Sequence, residues 1–194
     1  LWVLIPNQPT NMSDSNRPLK SVKTNNIKHL HPDSDHLNLG QGRVMPQAIS
    51  IEEAVLGALM INEDAMSIVT GILTPDSFYL PAHQKIFTSM LELFEQSIPI
   101  DILSVKERLK KKSELDSIGG PPYLAELTNR VGTSANLEYH ARYISEKFIQ
   151  RELIRISTKT VKDAFEDTKD VFEMLNEAEQ DLFAVTQGNV NHGY

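Results

Sequence analysis

The stretch DSFYLPAHQKIF, residues 76–87, sets an acid, a phenol and an imidazole close together as Asp76, Tyr79 and His83. Carboxylate and imidazole are the usual parts of a general acid–base site, so one reading is a small hydrolase using His83 with Asp76 or Asp101. The other reading is the start of a helix. Pro81 suits a first helical turn, where its missing N–H is not needed. Ile86, Phe87, Met90, Leu91 and Phe94 follow as an apolar face, with His83 beside Phe87 at the i+4 position. No nucleophile or third partner adjoins His83 in sequence, which favours a packed or exposed structural histidine.

Other chemistries have thinner support. The segment HLHPDSDH offers His29, His31, Asp33, Asp35 and His36 as metal ligands, but no helix fixes their spacing, so it reads as a polar tail. The chain has no cysteine, which excludes disulfides, thiolate catalysis and cysteine metal sites. It contains no G-x-x-x-x-G-K-[ST] phosphate loop, no G-x-S-x-G and no H-E-x-x-H. The acidic pairs Glu52-Glu53 and Glu177/Glu179 are read as lying on exposed faces or helix starts. No catalytic, cofactor-binding or metal residues are therefore expected in this chain.

The elements that would carry these residues read as helices throughout. Residues 1–44, rich in Asn, Ser, Pro and His, bury too little to offset their ordering entropy. They are read as a disordered arm, or as a segment foreign to the natural protein. The chain begins with Leu1 rather than Met, which suggests a fragment. Order is expected from Met45-Pro46, with Ser50 and Glu53 forming a capping box ahead of Ile51, Ala54, Val55, Ala58 and Leu59. Asn62-Glu63-Asp64 turns into a short second helix that ends at TPDS.

Asp101 caps a further helix that ends in KERLKKK. Its basic cluster (Lys106, Arg108, Lys110, Lys111, Lys112) is read as a solvated face complementing the helix dipole. SIGGPPYL punctuates, with two glycines to turn and two prolines to start the next helix. From Ala135 to about Phe165 no Pro or Gly occurs, which predicts one long helix. Glu166–Lys169 makes a polar turn, Asp170 and Glu173 offer a capping box, and Val171, Leu175, Ala178, Leu182 and Val185 form a heptad-like seam. The predicted fold is all-α, a compact helical head over 45–134 followed by a long αα-hairpin over 135–187. Residues 188–194 are read as a tail or the start of a linker.

Charge narrows the choice of partners. Residues 1–44 hold five Lys/Arg against three Asp; subtracting these from totals of 19 and 26 leaves 14 basic and 23 acidic residues, a net charge of −9 over 45–194. Such a body repels phosphate backbones. The run LWVLI is too short to span a bilayer and follows no basic residue, so neither a membrane span nor a signal peptide is expected. From the residues alone the chain is a helical interaction module.

Five stretches in order, VLGALM (55–60), FYLPAHQKIF (78–87), PIDILSV (99–105), ELDSIGGPPYLAELTNRV (114–131) and ANLEYHARYISEKFIQRELIRIS (135–157), resemble the N-terminal domain of the bacterial replicative DNA helicase, the DnaB family. The resemblance spans roughly 45 to 187. Glu53 departs from it, standing where many relatives carry Gln, and the arm matches nothing in the family.

The resemblance implies the collar of a hexameric, ATP-dependent ring that unwinds DNA, whose ATP and Mg2+ are bound by a C-terminal motor domain this chain lacks. It implies a cytoplasmic protein and self-association into dimers that combine three at a time. It also implies docking of a DnaG-type primase, contact with a helicase loader, and DNA reached only through the parent protein. The expected self-association face is Ile144, Phe148, Leu153, Ile156, Leu175 and Leu182, and the expected primase-docking rim is Arg142, Lys147, Arg151 and Arg155. A stand-alone helical adaptor is the alternative.

Overall fold

A computed structural model describes residues 44–62, 64–130, 136–166 and 170–190, with side chains as far as 187. The arm over 1–43, with its His/Asp run, and most of the Glu166–Lys169 turn lie outside the described residues. Among the described residues there are seven α-helices and no strand: α1 (Ile49–Leu59), α2 (Ala65–Val69), α3 (Pro81–Glu95), α4 (Ile102–Lys111), α5 (Gly120–Asn129), α6 (Leu137–Ala164) and α7 (Val171–Val190). The all-α expectation holds.

The first helix starts differently from its sequence pattern. α1 begins at Ile49, one residue before Ser50, and the carbonyl of Ala48 accepts from the amides of Ile51 and Glu52, both at 2.9 Å. Ser50 is thus inside the helix and caps nothing. Glu53 does not reach back either, because Arg130 at the end of α5 takes its carboxylate at 2.7 Å. A tertiary ion pair has displaced a local box.

Other punctuation follows the sequence. Asp101 caps α4, its Oδ1 accepting from the Ser104 amide at 2.7 Å while Ser104 Oγ accepts from the Asp101 amide. Asp170 Oδ1 accepts from the amides of Phe172 and Glu173 at the start of α7. Pro81 is the first residue of α3. Helix α2 ends at Val69, earlier than expected, and TPDS instead forms a separate 3-10 turn over Pro75–Ser77. Gly119 turns the chain into α5 at φ +99°, a left-handed conformation that L side chains rarely adopt.

The core is built where the apolar faces of α1, α3, α4 and α5 meet, around Leu56, Phe87, Met90, Leu109 and Leu124. It continues into the first turns of α6, whose Leu137, Ala141 and Ile144 belong to the same cluster. The compact body thus reaches past residue 135, and α6 runs from the core out into the hairpin, where α7 packs against it. Lys159 joins the two hairpin helices, reaching Glu177 at 3.3 Å and Asp181 at 3.2 Å.

Candidate interaction surface

The residues that first suggested chemistry are packed into the core. His83 is fully buried on α3 and both ring nitrogens are engaged. Nδ1 lies 2.7 Å from Glu52 Oε2, and Nε2 lies 2.7 Å from the Tyr123 hydroxyl. Glu52 Oε1 accepts from the Tyr79 amide at 2.8 Å. A carboxylate already accepting one amide calls for a donor at its other oxygen, so Nδ1–H donates to Glu52 and Nε2 accepts from the Tyr123 O–H. Burial raises the Tyr123 phenol, with Glu53's charge acting in the same direction, so the phenol keeps the proton it donates. Phe78 covers His83 edge-on with ring centroids 6.5 Å apart. An imidazole enclosed in this way offers no face to a substrate. Asp76 sits in the 3-10 turn and Asp101 caps α4, and neither partners His83.

Sequence reasoning missed Glu52, read as exposed but buried on α1. A signal was present, because positions 52, 56 and 59 share one helical face and Leu56 and Leu59 are core residues. It also missed Tyr123, whose distance in sequence hid it. The Asp76–Phe87 stretch is a helix start, and its histidine is a satisfied core group linking α1, α3 and α5.

The hairpin leaves several large apolar side chains uncovered, as the head does at Ile61 and Leu103. On α7, Phe172 is 75% exposed, Leu175 60%, Leu182 44% and Phe183 61%. On α6, Leu153, Ile154 and Val161 are also exposed, with Phe165 just past its end. The heptad seam read from the sequence is split between two faces: Ala178 and Val185 are partly covered, whereas Leu175 and Leu182 face outward.

Two expected self-association residues are corrected. Ile144 is 1% exposed within the head core and Ile156 is 3% exposed, so intramolecular packing already consumes both. Phe148 is partly covered, with the Arg151 guanidinium 5.7 Å from its ring centroid. Leu153, Leu175 and Leu182 remain available.

The expected basic rim is divided in a similar way. Arg142 pairs with Glu138 at 2.9 Å and Arg155 with Glu152 at 2.9 Å, one helical turn away in each case. Lys147 lies over the Tyr143 ring, 4.9 Å from its centroid. Arg151 turns inward, donating to the Ser77 carbonyl at 2.8 Å and the Pro46 carbonyl at 3.1 Å, so it is withdrawn from any outward rim. A groove of about 230 Å³ between the 72–77 loop, α6 and α7 is lined by Phe148, Glu152, Arg155 and Asp181 among others. In the basic cluster of α4, Arg108 and Lys112 both reach Glu92 of α3. Among the described residues no group of three or more acidic or histidine side chains is placed to hold a metal. No helix among them is long and apolar enough to cross a membrane.

A family model described as the DnaB-like helicase N terminal domain matches residues 44–146, just over half of the chain. The chain belongs to that family. Among DnaB relatives, a "Replicative DNA helicase DnaB" from Rhodothermus marinus is 45% identical over 145 residues, covering 75% of this chain and 15% of that protein. A "Replicative DNA helicase DnaC" from Bacillus subtilis is 39% identical over 145 residues, covering 75% of this chain and 32% of its own length. The chain thus spans a third or less of either relative. The crystal structure of the N-terminal domain of DnaB helicase from Mycobacterium tuberculosis superimposes with a TM-score of 0.69 at 33% identity, covering 73% of this chain and 99% of that one. A DnaB-like replicative helicase whose structure describes its interactions with primase aligns at TM-score 0.59 and 26% identity, over 71% of this chain and 31% of that one.

Proposed function

We propose that this chain is the N-terminal collar domain of a hexameric, ATP-dependent replicative DNA helicase of the cytoplasm. Its work is assembly and docking, and the chemistry belongs to a C-terminal motor of the parent protein that binds ATP and Mg2+. The observation that carries this reading is the outer face of α7, where Phe172, Leu175, Leu182 and Phe183 stand exposed on a chain of the DnaB family. Each such side chain, 44–75% exposed, forgoes part of the roughly 1.5–3 kcal/mol that full burial would give. A cluster of exposed large apolar side chains of this kind marks an interaction site on a soluble protein. The same hairpin from a second copy covers it economically, giving a two-fold four-helix contact. Three such dimers close the ring.

Light scattering tests the assembly. The wild-type chain is expected to run as a dimer or larger, and the double substitution L175E/L182E is expected to shift it toward the 21.9 kDa monomer with helicity retained by circular dichroism. A wild-type monomer at high micromolar concentration overturns the proposal.

The same reading assigns the hairpin a docking role for a DnaG-type primase, with a helicase loader as a further partner and DNA reached through the parent. It draws on the aligned helicase whose structure describes its primase interactions. The rim that remains is Arg142, Lys147 and Arg155, with Arg155 in the groove wall. Charge reversal at Arg155 and Lys147 is expected to weaken primase binding measured by calorimetry. Unchanged affinity in a folded variant moves the site elsewhere.

A further inference from the structure

Arg151 is placed where a helix leaves a core. The apolar anchoring of α6 within the core cluster runs from Leu137 to Ile144, and Arg151 lies two helical turns further along. Its guanidinium bridges two separate stretches of the head. Nη1 donates to the Pro46 carbonyl at 3.1 Å and Nη2 to the Ser77 carbonyl at 2.8 Å, with a longer approach of 3.5 Å to the Asp76 carbonyl. Its planar group also lies over the Tyr79 and Phe148 rings, 5.7 Å from each centroid. Burial lowers its affinity for its proton, while the nearby charge of Glu52 acts the other way. These partners are carbonyls and aromatic faces, which hold a guanidinium by geometry more than by net charge.

The segment it grips is itself fixed from the opposite side. Tyr79 donates its amide to buried Glu52, and Glu52 is bound in turn to His83. Residues 77–79 are therefore held between a core carboxylate and a hairpin arginine. A rotation of α6 about the end of the core would have to break two carbonyl contacts, one of them to the pinned Ser77–Tyr79 segment.

We propose that Arg151 is the positioning residue that fixes the angle between the hairpin and the head, by bridging Pro46 and the Ser77–Tyr79 segment that Glu52 pins from within. Arg151 is then an internal brace that leaves partner contact to its neighbours. Its consequence for assembly rests on the hairpin-pairing reading above: a braced hairpin presents its apolar face to a second copy in one orientation. A lysine cannot replace it, because a single ammonium on a flexible stem does not span two carbonyls as a fork does.

The absence of native cysteine allows the angle to be read directly. Spin labels at Glu107→Cys on α4 and Thr158→Cys on α6, both exposed positions, report the head-to-hairpin distance by pulsed dipolar spectroscopy. Dilution with unlabelled chain restricts the signal to one protomer. The unsubstituted background is expected to give one narrow distance distribution, and both R151Q and R151K a broadened or displaced one, with thermal unfolding still cooperative. An unchanged distribution in R151Q overturns the proposal. So does restoration of the narrow distribution by R151K, which would make charge sufficient, or loss of cooperative folding in both variants, which would make Arg151 a stability residue. The distance is measured within one chain, and repeating it on the L175E/L182E background separates the brace from any hold that hairpin pairing exerts. A broadened distance with the oligomer mass unaffected by L175E/L182E leaves the brace standing and removes the pairing.

Discussion

At the scale of single residues, the buried Glu52–His83–Tyr123 link has the larger energetic consequence. Glu52 serves two donors from positions with almost no access to water. Glu52→Ala strands the Tyr79 amide and the His83 N–H inside the core, and breaking a buried pair in this way costs about 3–5 kcal/mol. Urea unfolding should show a loss of that order, and a loss below about 1 kcal/mol would mean that the link holds little. Glu92 is the surface counterpart. The hydrogen bond from Lys112 holds its carboxylate below the ordinary 4.5, with burial opposing and the charges of Lys112 and Arg108 assisting. A depressed carboxylate contributes stability above its unfolded pKa, and that contribution disappears as pH falls through the folded value. The difference in melting temperature between wild type and Glu92→Gln should therefore shrink as pH falls from above the ordinary 4.5 down through the lowered folded value, where the carboxylate becomes protonated. A difference that stays constant over that range would show that the Glu92 charge contributes nothing.

At the scale of elements, local signals succeeded where nothing distant competed. Asp101 and Asp170 cap their helices because their amide partners lie only two or three residues away. Ser50 failed because the residue needed to close its box, Glu53, is taken by Arg130 from 77 positions along the chain. The Gly119 turn was legible for the same local reason as the aspartate caps. At φ +99° an added Cβ also comes within 3.1 Å of Tyr123 Cβ in the first turn of α5. Gly119→Ala should cost about 1–2 kcal/mol in chemical unfolding. A neutral result would mean that the turn relaxes to negative φ. On α7 the heptad spacing identified the helix and its apolar character, but it could not say which half of the seam faces α6.

At the scale of the whole molecule, the chain is expected to bind no ATP, because it lacks a glycine-rich phosphate loop and the lysine that accompanies one. Calorimetry on the purified chain should show no heat of nucleotide binding, and micromolar affinity would contradict the collar assignment. By itself the sequence determined the helical class, the long unbroken α6, the Asp101 and Gly119 punctuation and the DnaB kinship. Each of these is written in neighbouring residues, in periodicity or in motif order, and needs no knowledge of what meets across the core. Only the tertiary structure decided that Glu52 is a core group, that Ile144 and Ile156 are consumed internally, and that Arg151 points into the head. Burial is a property of the partner surface rather than of the residue. A carboxylate or a guanidinium enters the interior when the fold brings a donor or a carbonyl to meet it, and here those partners lie 31 residues from Glu52 at His83 and 74 residues from Arg151 at Ser77.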